Sequence, residues 1–305
     1  MRIHAIINGR AGSVLGLDHT ALIERLRTAL GEAGNQVEIE IVEPVDLNAS
    51  IARALTTKPD AIVVGGGDGT IRSAATLLKD SETALGILPL GTLNRLARDL
   101  NIPLDLEQAA SALAHAEMRQ IDMAELNGRP FTCNSLIGLP PIYSRQRQRQ
   151  RGQPLIPRIR GYASVLRHIA RSRRKLTIVV DDGVERRKVR ALSIAVSNNL
   201  YADAAGVMLK RPVLDRGELG VFVSRHENGF GLAVAFVRAM LGRLGSDPKM
   251  EVSIAHKLEI STRKRALRVS NDGEVEIIET PLRYRSLPKS LKVLAPPLPQ
   301  ETVAS

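Results

Sequence analysis

The apolar residues of this chain change rhythm once. Up to about residue 122, short runs of consecutive apolar residues alternate with stretches in which they recur every three or four positions. Ile3–Ile7, Val37–Val42, Ala61–Val64 and Leu85–Leu88 predict buried strands, while Thr20–Leu30, Ile71–Leu78 and Leu106–Ala116 predict amphipathic helices. Strand and helix in alternation are the pattern of a parallel sheet with helices packed on it. Beyond residue 122 short β-rich runs dominate: Phe131–Asn134, Leu176–Val180, Leu192–Ser197, Leu219–Val223, Met250–Ile254, Leu258–Ser261, Leu267–Ser270, Val275–Ile278 and Leu291–Leu294. Asp181-Asp182-Gly183 and Asn271-Asp272-Gly273, each between such runs, are hairpin signals. The pattern therefore predicts an α/β first domain and a β-rich second one, divided near Asp122.

Glycine marks where the first domain's chemistry belongs. Gly65-Gly66-Gly67-Asp68-Gly69-Thr70 follows one predicted strand and opens a predicted helix. Glycines let backbone N–H groups approach an anion, and a helix N-terminus favours negative charge. Asp68 is out of place beside phosphates unless a cation such as Mg²⁺ intervenes. The run has neither the Lys-Ser/Thr ending of a Walker loop nor the Gly-x-Gly-x-x-Gly spacing, so an ordinary strand-to-helix turn is the competing reading. The same architecture recurs at Pro89-Leu90-Gly91-Thr92, followed by Asn94, Arg95 and Arg98, and again at Asn8-Gly9-Arg10-Ala11-Gly12-Ser13. In a parallel sheet all three turns emerge at the C-terminal strand ends, the usual ligand edge.

With these segments in place the chain resembles the diacylglycerol kinase-like lipid kinases, which include the sphingosine kinases and bacterial kinases of the YegS type. The resemblance rests on Asn8–Gly12, Gly66–Thr70, Pro89–Ala97 and Asp272-Gly273-Glu274, in the family's order and spacing along nearly the whole chain. It implies an N-terminal α/β domain like that of NAD kinases and phosphofructokinases (1–122, with about 287–305 returning to it). A C-terminal antiparallel β-sandwich domain (123–286) would handle the lipid, with ATP and acceptor meeting in the cleft. It implies transfer of the ATP γ-phosphoryl group to a lipid hydroxyl. Asn8, Gly65, Gly66, Gly67, Asp68, Gly69, Thr70, Gly91, Thr92 and Asn94 would bind ATP, Asp68 would organise catalytic Mg²⁺, and Glu274 takes the family's base position. An exposed glutamate after an ordinary hairpin turn is the alternative for Glu274.

Two departures from the family pattern stand out. The Asn8-Gly9 turn lacks its usual proline. Where many bacterial members carry an aspartate that helps hold a structural Mg²⁺, this chain has Arg216, between Asp215 and Gly217. A guanidinium cannot ligate a cation, so the structural Mg²⁺ site near Asp215 is expected to be lost, with a salt bridge of Arg216 in its place. Two other functions stay open: an NAD kinase-like phosphotransferase, against which the Pro89–Ala97 pattern speaks, and a non-catalytic nucleotide- or lipid-binding regulator on the same scaffold.

Charge adds a partner. Of 43 Lys and Arg, eleven lie in Tyr143–Lys175 with no acidic residue among them, so the remaining 32 match the 32 Asp and Glu and the net +11 resides there. Arg145, Arg147, Arg149 and Arg151 alternate with glutamine and read as a loop, while Tyr162–Ala170 has helical spacing. A solvated basic face, a nucleic-acid site and an anionic membrane surface all fit such a run. The lack of interleaved aromatics argues against nucleic acid, and the lipid-kinase resemblance favours the membrane. The 305 residues suffice for two cores. Even Gly229–Leu241 is interrupted by Arg238 and too short to span a bilayer. The N-terminus does not resemble a signal peptide, and the single Cys133 reads as a small core residue, so a cytoplasmic protein, peripheral at the inner membrane face, is expected. The six histidines show no metal-binding spacing, and the oligomeric state is left open, a homodimer included.

Overall fold

The computed structural model describes residues 1–12, 14–138, 175–183, 185–202, 209–240 and 247–297. The Arg145–Arg151 run and the helix expected at Tyr162–Ala170 lie outside them. The chain divides into two compact units, Met1–Ile121 with the segment from Lys289 on, and Asp122–Pro288.

The first unit alternates strand and helix: β1 Arg2–Asn8, α1 His19–Gly31, β2 Gln36–Val42, α2 Leu47–Thr56, β3 Ala61–Gly66, α3 Asp68–Leu78, β4 Ala84–Pro89, α4 Arg95–Asp99 and α5 Leu106–Ala114. The strands pair in the order β2-β1-β3-β4, all parallel. β3 is central, and each of its residues is buried, as the unbroken apolar run Ala61–Val64 requires of a strand covered on both faces. The helices turn one apolar stripe inward: α1 buries Leu22, Leu26, Ala29 and Leu30, and α5 buries Ala109, Ala110, Leu113 and Ala114. Asp18 caps α1 through the N–H of Thr20 at 2.9 Å, and Asp105 caps α5 through Glu107 and Gln108 at 3.1 and 3.0 Å. α2 carries only a weak sequence signal, although Leu47, Ser50, Ile51 and Ala54 form its buried face. Its N-cap Asp46 makes no side-chain bond to the helix, and only three strongly apolar positions mark it.

In the second unit the strands are short and antiparallel. β5 Glu117–Leu126 leads in, followed by β6 Arg129–Phe131, β7 Asn134–Gly138, β8 Leu176–Asp181, β9 Arg186–Ala191, β10 Ser193–Asn198 and β11 Leu219–Ser224. After α6 Gly229–Met240 come β12 Met250–Ala255, β13 Lys257–Ser261, β14 Ala266–Asn271, β15 Glu274–Glu279 and β16 Leu282–Ala295. One sheet runs β12-β11-β10-β7-β14-β15; in the other the first half of β16 pairs with β13, then β8 and β9. Ile137, Ile194, Val196, Val221 and Val269 of the first sheet pack on Ile178, Val180, Leu258, Ile260 and Tyr284 of the second. This is a β-sandwich core with alternating inward residues. The last residues of β16 return to the first unit, where Val293 lies parallel to Leu85 of β4. Among the described residues no helix is long and apolar enough to cross a membrane.

One expected strand is corrected. Phe131–Asn134 is not continuous: β6 ends at Phe131 and β7 begins at Asn134. The N–H groups of Thr132, Cys133 and Asn134 all donate to the carboxylate of Asp272, so they are not free to form a ladder.

Candidate active site

β1, β3 and β4 are adjacent and parallel, with Ile7 opposite Gly65 and Gly65 opposite Leu88. The three glycine turns therefore leave the sheet at one edge. They are also tied to one another. Asn8 Nδ2 donates to Thr70 Oγ1 at 3.3 Å, joining the first turn to the second, and the N–H of Arg95 donates to Asp68 Oδ1 at 2.7 Å, joining the second to the third. Backbone closes the remaining gap. A Cβ on Gly91 would lie 2.6 Å from the Cα of Gly67, and one on Gly66 would lie 2.4 Å from Thr70 Cγ2. Close packing thus calls for glycine at Gly66 and Gly91, whereas Gly67, with φ −90° and only Gly91 Cα at 3.4 Å from a would-be Cβ, is less constrained.

α3 starts at Asp68, and its N-cap Gly67 offers no capping side chain. Among the described residues no side chain at the N-cap takes the N–H groups of its first turn, which is the usual condition of an anion-binding helix start. Asp68 uses Oδ1 on Arg95, while Oδ2 has no hydrogen-bond partner among the described residues. Thr92 is exposed on the third turn, and Gly69 and Thr70 are half-buried.

Asn94, expected to bind ATP, has its amide engaged inside its own turn. Its Oδ1 accepts from Gly91 N–H at 2.8 Å, and its Nδ2 donates to the carbonyls of Pro89 at 3.2 Å and Gly91 at 2.9 Å. With φ +48°, a left-handed conformation that asparagine tolerates, it is the brace of the turn.

In the second unit Glu274 opens β15, half-buried, and pairs with Asn271 across a two-residue turn whose central residues Asp272 and Gly273 have φ +47° and +91°. Positive φ at both positions is the type I′ hairpin signalled by Asn-Asp-Gly. Asp272 is not a solvated turn residue. It is 7% exposed and its two oxygens accept four hydrogen bonds, from the N–H groups of Thr132, Cys133 and Asn134 and the hydroxyl of Thr132. The carbonyls of the same segment are held from elsewhere: Thr132 O accepts from Arg211 Nη1 at 2.7 Å and Asn198 Nδ2 at 3.1 Å, and Cys133 O accepts from Asn198 N–H at 3.0 Å. Arg211, fully buried, also approaches Cys133 Sγ at 3.4 Å. Nothing in Lys210-Arg211-Pro212 marks that arginine for burial.

Around Arg216 the expectation is partly revised. Gly217 N–H and Asn199 Nδ2 donate to the buried Asp122 Oδ2 at 2.6 and 3.0 Å, and Arg216 N–H donates to Asn199 Oδ1 at 3.3 Å. Asp215 and Arg216 are both exposed. Among the described residues the Arg216 guanidinium forms no salt bridge, because it faces solvent rather than a carboxylate. No group of three or more His, Cys, Asp and Glu side chains able to hold a metal occurs among the described residues.

Comparison with known proteins gives this geometry a family. Residues 2–126 match the diacylglycerol kinase catalytic domain, and residues 146–295 match the YegS C-terminal NAD kinase beta sandwich-like domain. A Yersinia pestis (strain Pestoides F) protein named "Probable lipid kinase YegS-like" is 38% identical over 97 residues, 30% of this chain and 33% of that protein. A Yersinia pseudotuberculosis (serotype O:1b) protein of the same name gives the same figures. The alignment thus spans about a third of the length of these relatives. The crystal structure of a diacylglycerol kinase from Bacillus anthracis shares the fold, with a TM-score of 0.72 over 97% of both chains at 20% identity. The chain belongs to the diacylglycerol kinase-like lipid kinase family.

Proposed function

We propose that this protein transfers the γ-phosphoryl group of ATP to a hydroxyl group of a lipid. The observation that carries the reading is the joining of the three glycine turns at the start of α3, through Asn8–Thr70, Gly67–Gly91 and Asp68–Arg95. Phosphoryl transfer asks chiefly for positioned phosphates and neutralised charge, and turns braced against each other supply rigid N–H donors at one edge. The N–H groups of Asp68, Gly69 and Thr70 would receive phosphate oxygens, with the hydroxyl of Thr92 beside them.

The site suits Mg²⁺ entering with the nucleotide. Among the described residues one carboxylate oxygen, Asp68 Oδ2, is uncommitted, and Mg²⁺ is commonly held by one or two carboxylates together with substrate phosphates and water. Bound there, it would neutralise phosphate charge. Glu274 is assigned to take the proton of the acceptor hydroxyl. The Arg145–Arg151 run is assigned to an anionic membrane surface, where each basic residue adds about 1 kcal/mol.

The test is incubation of the protein with γ-labelled ATP, Mg²⁺ and vesicles carrying diacylglycerol, a sphingoid base or a glycerolipid alcohol, with NAD in a parallel reaction. Label in a lipid product supports the reading. Label on NAD would replace it with an NAD kinase-like activity, and ATP binding without turnover on any acceptor would replace it with a regulatory role.

A further inference from the structure

Glu274 sits two residues beyond a carboxylate that the proposed chemistry does not use. Asp272 is buried, carries no counter-charge within its own turn, and spends both oxygens on the break between β6 and β7: Oδ2 on Thr132 N–H at 2.7 Å and Thr132 Oγ1 at 3.0 Å, Oδ1 on Cys133 N–H at 2.8 Å and Asn134 N–H at 2.9 Å. Its own N–H donates to the carbonyl of Asn134 at 2.8 Å. A two-residue turn with an unanchored side chain can rock about its strand ends. This turn is fastened at its tip to a neighbouring strand by five bonds, and that strand's far side is gripped by Arg211 and Asn198.

The grip is specific to a carboxylate. Four donors converge on two oxygens, and only an ionised Asp presents acceptors at both. Asparagine has the same shape but must turn an NH₂ toward donors on one side. Glutamate keeps the charge but is a methylene longer, in a left-handed conformation that Asp and Asn tolerate best. Glu274 follows after Gly273 alone and pairs with Asn271 across the turn, so a shift of the tip displaces the strand end that carries it.

We propose that Asp272 is a positioning residue for phosphoryl transfer, holding the hairpin tip so that the Glu274 carboxylate keeps the orientation its role as base demands. The proposal rests on the reading of Glu274 given above. It separates two tasks inside one three-residue motif: Asp272 touches no substrate and acts through the turn, and Glu274 meets the acceptor.

The experiment measures kcat, KM for ATP and the pH dependence of kcat for the wild type, Glu274→Gln, Asp272→Asn and Thr132→Val, on whichever lipid the wild type phosphorylates. Glu274→Gln should lower kcat by about 100-fold or more and remove from the residual rate the limb of the pH profile that belongs to the base. Asp272→Asn should lower kcat by about tenfold to 100-fold, leave KM for ATP within about twofold, and displace the same limb. Thr132→Val removes one of the four bonds to Asp272 and keeps the other three. It should give a smaller fall in kcat of the same kind, and it decides the matter if Asp272→Asn does not fold. Wild-type kcat and an unmoved limb in Asp272→Asn, with Glu274→Gln slowed as expected, would overturn the positioning role and leave the base intact. Near wild-type turnover in Glu274→Gln would overturn the base assignment and the positioning role with it.

Discussion

Replacing Gly91 by alanine tests whether the glycine turns are pressed together or merely near each other. A Cβ at Gly91 would stand 2.6 Å from Gly67 Cα and 2.7 Å from Asn94 Oδ1. Carbon atoms in contact settle near about 3.5 Å, so the methyl needs roughly 1 Å that the turn does not have. The near atom on one side is backbone, which cannot swing aside. On the other side is the acceptor of the Gly91 N–H bond, so displacing it would sacrifice the brace. Overpacking of this kind costs about 1–3 kcal/mol. If the strain is relieved by parting the second and third turns, the same energy appears in ATP affinity as a loss of about 5- to 150-fold. Titration calorimetry with ATP and Mg²⁺ measures that loss, and a thermal melt on the same sample shows how much of it is global. Gly31→Ala is the control, since a Cβ there meets nothing within 4 Å. Wild-type affinity and wild-type melting in Gly91→Ala would refute the packing argument.

Asp68→Asn keeps an oxygen for the N–H of Arg95 but removes the charge. It should unfold in denaturant close to wild type while losing about 100-fold or more in kcat, whereas Asp68→Ala should also lose about 1–3 kcal/mol of stability; full turnover in Asp68→Asn would take Asp68 out of the chemistry. Burial pushes the Tyr284 phenol above its ordinary value of 10.0, so the fold favours the neutral form. That contribution is complete below about pH 10 and is lost as pH rises further. Tyr284→Phe, which gives up a 3.0 Å bond to Ser135, should be less stable than wild type by about 1 kcal/mol at neutral pH. That gap should narrow as pH rises above about 10, and a constant gap would contradict the assignment. Reversing Arg145, Arg147, Arg149 and Arg151 to glutamate should abolish salt-sensitive binding to anionic vesicles in a flotation assay, and binding indifferent to the reversal would reject the membrane role.

Much of the fold was legible because period and burial coincide. The runs Ala61–Val64 and Leu85–Leu88 are buried on both faces and lack polar residues, so their strands could hardly be missed. Asn271-Asp272-Gly273 declared its turn through residues that accept positive φ. What escaped were elements whose stability comes from partners distant in sequence. β9, Arg186–Ala191, reads as a charged stretch, yet it buries Val189 and Ala191 against its neighbours. The Thr132-Cys133 break depends on Asp272, about 140 positions away. The same holds for the candidate site. Glycine and threonine advertise the three turns, and parallel strands place them at one edge. The bond from Arg95 to Asp68 crosses 27 positions and leaves no local signal.

The motif residues divide by what their polar atoms are already doing. Asn94 has its amide committed inside its own turn, and Asp272 has both oxygens committed to a neighbouring strand. Asp272 has its acceptors filled and Asn94 has both amide hydrogens and one acceptor site in use, so substitutions there would act chiefly through the position of Gly91 or Glu274. Asp68 is different, because one oxygen secures α4 and the other has no partner among the described residues. In the proposed site that split would let a single residue fix the gap between two turns and still present charge to a cation, so the place of the cation would be set by the same bond that sets the turns. The prediction is a dissociation. Asn94→Ala should weaken ATP binding through a loosened turn and should lower stability with it. Asp68→Asn should leave the turns in place and fail only when Mg²⁺ is required, binding ATP without magnesium as well as the wild type does. If Asp68→Asn instead lost magnesium-free ATP binding to the same degree as Asn94→Ala, Asp68 would be a brace like Asn94, and the cation would have to be held elsewhere.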